Sequence, residues 1–247
     1  LPVRRPDLYA GDVLRTLARR SGIEVEAAVA AGRAERPADE VARVTGRALP
    51  AVLRDMLDFS TNLTAEVVGL AARAERRRGP ISLRVSAGRM NAWARARLRG
   101  GAGATRDFAF ANHSGLTLES RVSPARLVAF LRAAADMAPP PGEAHPRLPG
   151  AAAALLPAYN VAVEDGGIDF ARLDIRAKTG TMEYVRGLAG YAVTPGGRQF
   201  AFAIVSNELE ARGVRPRALD RRWLAEARAF ERALLRTWVR EVDAEAG

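Results

Sequence analysis

Apolar side chains recur every three to four residues along much of this chain and every second residue along a shorter part. Leu8, Val13, Leu14 and Leu17 fall near one face of a predicted helix over residues 7–20, which Ser21-Gly22 ends. A polar, extended stretch follows. From Leu49 the spacing of Val52, Met56 and Leu57 predicts a second helix, and Val67, Val68, Leu70 and Ala71 predict a third over 63–74. Between them stands Ser60-Thr61-Asn62. These short polar side chains compete for backbone hydrogen bonds and favour helix ends, so the triplet predicts a turn between two buried helices, its side chains facing a cleft.

Residues 81–98 predict a fourth helix, 100–103 a glycine-rich loop and 107–111 a strand by alternation. Ser123-Pro124 opens another helix, running to about Met137, because Ser accepts from an orphan amide and Pro at the first helical position gives up no needed donor. Pro139-Pro140-Pro141-Gly142 breaks the chain. The region from there to Asp174 predicts loops with a short helix over 151–156. Three strands follow over 175–183, 187–194 and 199–206, the last two joined by Pro195-Gly196-Gly197-Arg198, a tight-hairpin signal. Leu219, Trp223, Ala227, Phe230, Leu234 and Trp238 then form one apolar stripe on a helix over 218–242, suited to lie against that sheet.

Composition narrows the possibilities. The 247 residues are 48% hydrophobic and 27% charged, enough to bury the core of one large domain or two small ones, which excludes a disordered chain. No run of 18 uncharged apolar residues exists to span a membrane. With no cysteine and only His113 and His145, thiolate chemistry is excluded and metal chemistry has few ligands; no cofactor is expected. The net charge of +10 raises a polyanion partner. The arginines, however, are spread through almost every predicted helix among Asp and Glu, as a solvated surface would have them, and nucleic-acid binding is not expected.

Of the 38 basic residues only Lys178 is a lysine. It begins Lys178-Thr179-Gly180-Thr181, on the first of the three predicted strands. A compact positive charge, two hydroxyls and a glycine that leaves room for another backbone suit recognition of a carboxylate beside a reacting carbonyl, as at a peptide C-terminus. Chance is a poor explanation for the chain's only lysine standing there. Ser60-Thr61-Asn62 alone is a weaker signal, equally a helix cap.

Together, and in this order, the two resemble the second and third signature motifs of the penicillin-recognising serine enzymes, whose first is Ser-x-x-Lys. Arg5 to Gly11, Leu53 to Glu66, His113-Ser114-Gly115-Leu116-Thr117 with Arg121-Val122-Ser123-Pro124, and Ala177 to Tyr191 are similar to the D-alanyl-D-alanine carboxypeptidase/endopeptidase family of low-molecular-mass penicillin-binding proteins. The resemblance runs nearly end to end. Thr61 stands where that family usually has Asp, and His113 where it usually has Gly. A Ser114-His113 catalytic pair is not expected, since sequence neighbours seldom form one.

The resemblance implies a β-lactamase/transpeptidase-like α/β fold, an antiparallel sheet packed by helices with a mostly helical side and the active site between them. It implies Ser60, Asn62 and Lys178 as catalytic residues, Thr179, Gly180, Thr181 and Ser114 as substrate-binding ones, and peptidoglycan stem peptides and β-lactams as partners. The only lysine has Ile175 three places before it, so Ser-x-x-Lys is absent here. Residues 1–247 are therefore expected to be the part of a catalytic domain that follows that motif, with the nucleophile upstream of Leu1. The first residue is not Met and no export signal opens the chain, which fits that expectation; a periplasmic location follows from the substrate alone. A serine β-lactamase or esterase of the same fold and a noncatalytic peptidoglycan-binding relative are the alternatives. Oligomeric state is left open.

Overall fold

The computed structural model describes residues 3–27, 43–72, 82–98, 108–159, 173–214 and 217–245, in two compact units divided after Gly46. In the first unit α1 (Pro6–Arg20) closes on Ser21 and the left-handed Gly22, as the sequence predicts, and Leu14 and Leu17 of its apolar face are exposed.

The second unit carries α2 (Leu49–Phe59), α3 (Asn62–Ala71), α4 (Leu83–Arg97), β1 (Phe108–Ala109), β2 (Arg121–Val122), α5 (Pro124–Ala135), α6 (Gly150–Leu155), β3 (Asp174–Met182), β4 (Val185–Val193), β5 (Gln199–Asn207) and α7 (Arg217–Ala244). Most lie within two residues of the predicted bounds. The predicted strand over 107–111 shrinks to two described residues paired with β2, a partner the alternation did not reveal. The loop over 100–103 lies outside the described residues. The Ser123 hydroxyl accepts from the Arg126 amide and Pro124 takes the first turn of α5, so the predicted cap is in place.

Strands β3, β4 and β5 form one antiparallel sheet in that order, with Lys178 opposite Ala189 and Thr181 opposite Arg186. The predicted turn after β4 is present: the Gly197 amide donates to the Thr194 carbonyl and Gly197 takes φ 85°, a value that costs glycine little. The turn that consecutive antiparallel strands require between β3 and β4 is tighter than the predicted bounds leave it, and its second residue, Tyr184, is a bulky side chain at φ 51°. Packing holds it there. Tyr184 is fully buried against Trp223 and its amide donates to Asp220 of α7.

Strand alternation divides the sheet into two buried faces. Ile175, Ala177, Leu188, Ala192, Phe202 and Ile204 pack with Leu235 of α7 on one. Tyr191, Val193, Ala189 and Ala201 pack with Leu131 of α5 and Ala153 of α6 on the other. Each large apolar side chain so covered contributes about 1.5–3 kcal/mol.

Two expectations change. The stripe of α7 predicted through Phe230 is displaced by one residue: Ala227, Glu231, Leu235 and Val239 are buried, while Phe230 is 54% exposed. An acidic residue inside the stripe hid the true register, and Arg186 accounts for it by pairing with Glu231. Likewise α2 and α3 are half-buried and contain no fully buried residue. They pack on one side only, against α6 and α4, leaving Phe59, Leu63 and Val67 exposed.

Candidate active site

Helix α2 ends where Ser60 takes a left-handed backbone, φ 51° and ψ 47°, and the Thr61 amide turns back to the Met56 carbonyl. Outside glycine this conformation costs about 1 kcal/mol or more. The next residue but one, Asn62, already begins α3, so a single strained residue redirects the chain and sets the Ser60 hydroxyl at the corner. There it accepts a hydrogen bond from Lys178 Nζ.

Lys178 reaches the corner from the middle of β3, on the sheet face that packs against α5 and α6. Its ammonium also donates to the Thr179 carbonyl at 2.7 Å. Burial, with the Arg186 charge adding to it, pushes the Lys178 ammonium below the ordinary lysine range. The amine is thus half-buried, bonded to a hydroxyl and carries no carboxylate partner among the described residues. Such a group can both stabilise a developing anion and exchange a proton with the hydroxyl it holds.

The edge of β3 supplies a second feature. Its first half is covered: the Tyr159 amide donates to the Ile175 carbonyl and the Ala177 amide to the Pro157 carbonyl. Odd-numbered residues of β3 therefore turn their backbone polar groups outward, and even-numbered ones turn theirs to β4. By the same alternation Thr179 and Thr181 present amide and carbonyl groups to an edge that no described strand pairs. Gly180 between them is exposed and a side chain there would meet nothing within 4 Å.

The Thr179 and Thr181 side chains leave the strand on the opposite face from Lys178. The Thr181 hydroxyl accepts from Arg186 Nη1 at 2.9 Å, and Arg186 is fixed by two bonds from its Nε to the carboxylate of Glu231, at 2.9 and 3.1 Å. Arg186 and Glu231 are buried, and the sequence reading singled out neither. Their signal was slight: a charge in a strand otherwise apolar, and an acid in the apolar stripe of α7.

Ser114 lies in a loop carried by α3. One turn beyond Asn62, Glu66 accepts the amides of His113 and Ser114, each at 3.1 Å. Burial pushes the Glu66 carboxyl up, but the Ser114 hydroxyl, those two amides and the His113 charge together outweigh it and hold the carboxyl below its usual range. The His113 ring lies against Gly69 and bonds Ser86 through Nε2 at 2.9 Å, so His113 is a loop residue and not the partner of Ser114. The Ser114 hydroxyl accepts from the Leu116 amide, shaping the turn. The structure thus joins Ser60 to Lys178, keeps exposed Asn62 beside Ser60, and ties Ser114 to the same helix through Glu66.

A separate cleft of about 650 Å³ lies between α4 and α5, lined by Arg97, Arg126 and Arg132 among others, and holds none of these residues. No group of three or more potential metal ligands occurs among the described residues, and no described helix is long and apolar enough to cross a membrane.

The same arrangement of sheet and helices occurs in solved structures of penicillin-binding protein 4 from Haemophilus influenzae. One, complexed with a β-lactam, has 22% identity and TM-score 0.68 over 95% of this chain and 52% of that one; another has 21% identity and TM-score 0.66 over 94% and 49%. A predatory endopeptidase from Bdellovibrio bacteriovorus, in complex with an immunity protein, is more distant at 16% identity and TM-score 0.50. The fold is therefore the transpeptidase-like one, and this chain spans about half the length of those Haemophilus proteins. The sequence profile of the D-Ala-D-Ala carboxypeptidase 3 (S13) family matches residues 1–222, and the chain belongs to that family. No curated protein matches the sequence.

Proposed function

We propose that residues 1–247 form the proton-handling and substrate-gripping part of a serine-type D-Ala-D-Ala carboxypeptidase that acts on peptidoglycan stem peptides in the periplasm and binds β-lactams. The observation that carries this reading is the bond between Lys178 and Ser60 beside the part of the β3 edge that no described strand pairs. The nucleophile and its base lie in a Ser-x-x-Lys motif preceding Leu1.

In this mechanism a stem peptide extends along β3 with its terminal carboxylate near the Thr179 and Thr181 hydroxyls, adding main-chain hydrogen bonds to the edge. The upstream serine attacks the carbonyl between the two D-alanines. The outward amide of Thr181 donates to the oxyanion, and Lys178 stabilises its charge. As the C–N bond breaks, Ser60 hands its proton to the leaving D-alanine amine and is reprotonated through Lys178. Asn62 donates to the substrate amide, and the Glu66-anchored Ser114 loop lies beside it. Water then releases the serine.

A fluorescent penicillin tests the division of labour. Residues 1–247 alone should remain unlabelled, whereas the same chain extended upstream through a Ser-x-x-Lys motif should be labelled stoichiometrically and release D-alanine. Labelling of the 247 residues, or an extended chain that neither reacts nor contains the motif, would overturn the reading. Rapid penicillin turnover by the extended chain would make it a β-lactamase.

A further inference from the structure

The Thr181 hydroxyl has two acceptor lone pairs and one hydrogen. Arg186 stands directly opposite Thr181 in the β3–β4 register and its Nη1 donates to that oxygen. A guanidinium has only donors, so the hydrogen of Thr181 is turned away from it, toward whatever lies beyond the strand. Thr181 is exposed, and no described residue accepts that hydrogen.

The guanidinium is not free to follow a ligand. Both Glu231 oxygens accept from its Nε, and the two residues are 5% and 0% exposed. A buried pair of this kind is close to neutral as a unit and rigid, because moving either member leaves the other charge unpaired. Arg186 thereby acts on an arriving anion through Thr181, with most of its own charge already compensated.

We propose that Arg186, locked by Glu231, is a positioning residue that commits Thr181 to donate its hydroxyl hydrogen to the terminal carboxylate of the substrate. Without it the hydroxyl has no fixed orientation, and it can equally accept from an amide. Arg186 therefore sets the preference for a free C-terminus over a C-terminal amide. This rests on the reading of β3 as the carboxylate-binding strand.

The lone lysine supplies the measurement. Reductive methylation with a ¹³C label gives one side-chain resonance, from Lys178, alongside that of the terminal amine, and methylation preserves the charge. Titrations of the 247-residue chain with N-acetyl-D-alanyl-D-alanine and with its C-terminal amide would follow the Lys178 signal. The unmodified sequence should bind the carboxylate form at least tenfold more tightly. That ratio should fall below about threefold in Thr181→Val and in the double variant Arg186→Gln with Glu231→Gln, which removes both buried charges at once. Combining all three substitutions should lower it no further.

General damage to the fold would weaken both peptides alike and leave the ratio intact. Should the double variant unfold, Arg186→Lys supplies the same test, since it keeps a charge for Glu231 but loses the planar fork that reaches Thr181. If Thr181→Val abolishes the preference and neither Arg186 variant lowers it, the role of Arg186 is refuted while the carboxypeptidase reading stands. If the unmodified chain does not distinguish the two peptides, both fall.

Discussion

Lys178 donates to the hydroxyl of Ser60 across 118 positions of sequence, joining a strand to the corner between two helices. Neither residue alone offers what the proposed proton transfer needs. The hydroxyl is a poor proton donor until the ammonium polarises it, and the ammonium is lowered by burial at the point where the serine meets it.

Replacing Lys178 by Ala in a chain that carries the upstream serine should lower acylation by about a hundredfold or more, the usual cost of losing one such charge. The variant should stay folded, since the side chain is half-buried and holds no ion pair among the described residues. D-Alanine release and a thermal melt measured together check this; wild-type release would remove Lys178 from the mechanism.

A methyl group at Gly69 would overlap the His113 ring. Gly69→Ala should therefore destabilise the protein by about 1–3 kcal/mol and displace the Ser114 loop. His113→Gly in the same chain should recover most of that loss. Urea unfolding of the single and double variants measures it, and equal stability of Gly69→Ala and the parent would contradict the packing.

His145 Nδ1 accepts the amides of Arg147 and Leu148, at 3.2 and 3.1 Å, so the proton of the neutral ring lies on Nε2, which faces Asp174 at 3.3 Å. Burial lowers its pKa; Asp174 opposes this, and Arg176 and Arg147 add to it. The unfolded ring takes a proton near pH 6.5 and the folded one only below that. Its contribution to stability is accordingly complete above pH 6.5 and declines as the pH falls through the interval down to the folded value. His145→Gln should flatten this limb of a stability-versus-pH curve. An unchanged slope between pH 7 and 5 would show that another group sets it.

Tyr191 donates to the Leu131 carbonyl at 2.6 Å, and burial pushes its pKa up to about 12. A raised pKa means that stability present below the unfolded value near 10 is lost as pH climbs from there to about 12. Tyr191→Phe should cost about 1 kcal/mol at neutral pH. It should also delete the tyrosinate absorbance step near pH 12, and persistence of that step would assign it elsewhere.

The lysine, the serine corner and the three strands were legible in the sequence because each is written locally: one rare residue type, one polar triplet between apolar helices, one Pro-Gly-Gly turn. Arg186, Glu231 and Tyr184 were not. Each breaks a local rule and is satisfied by a partner dozens of residues away, Arg186 by Glu231 and Tyr184 by Trp223 and Asp220. The displaced stripe of α7 has the same origin. Periodicity assumes that buried positions are apolar, and at Glu231 a neutralising arginine replaces that condition.

The half-covered margin of β3 limits what can dock there. An unprotected strand border invites any extended polypeptide, including a second copy of itself, and long borders seed aggregation. Because Pro157 and Tyr159 already occupy the inner portion, the length that no described residue pairs is one or two amide units, bordered by the ammonium of Lys178. On the proposed binding mode a short chain end fits such a slot and an internal segment of a folded protein does not, so the backbone itself would sort peptide tails from other guests before any side chain takes part.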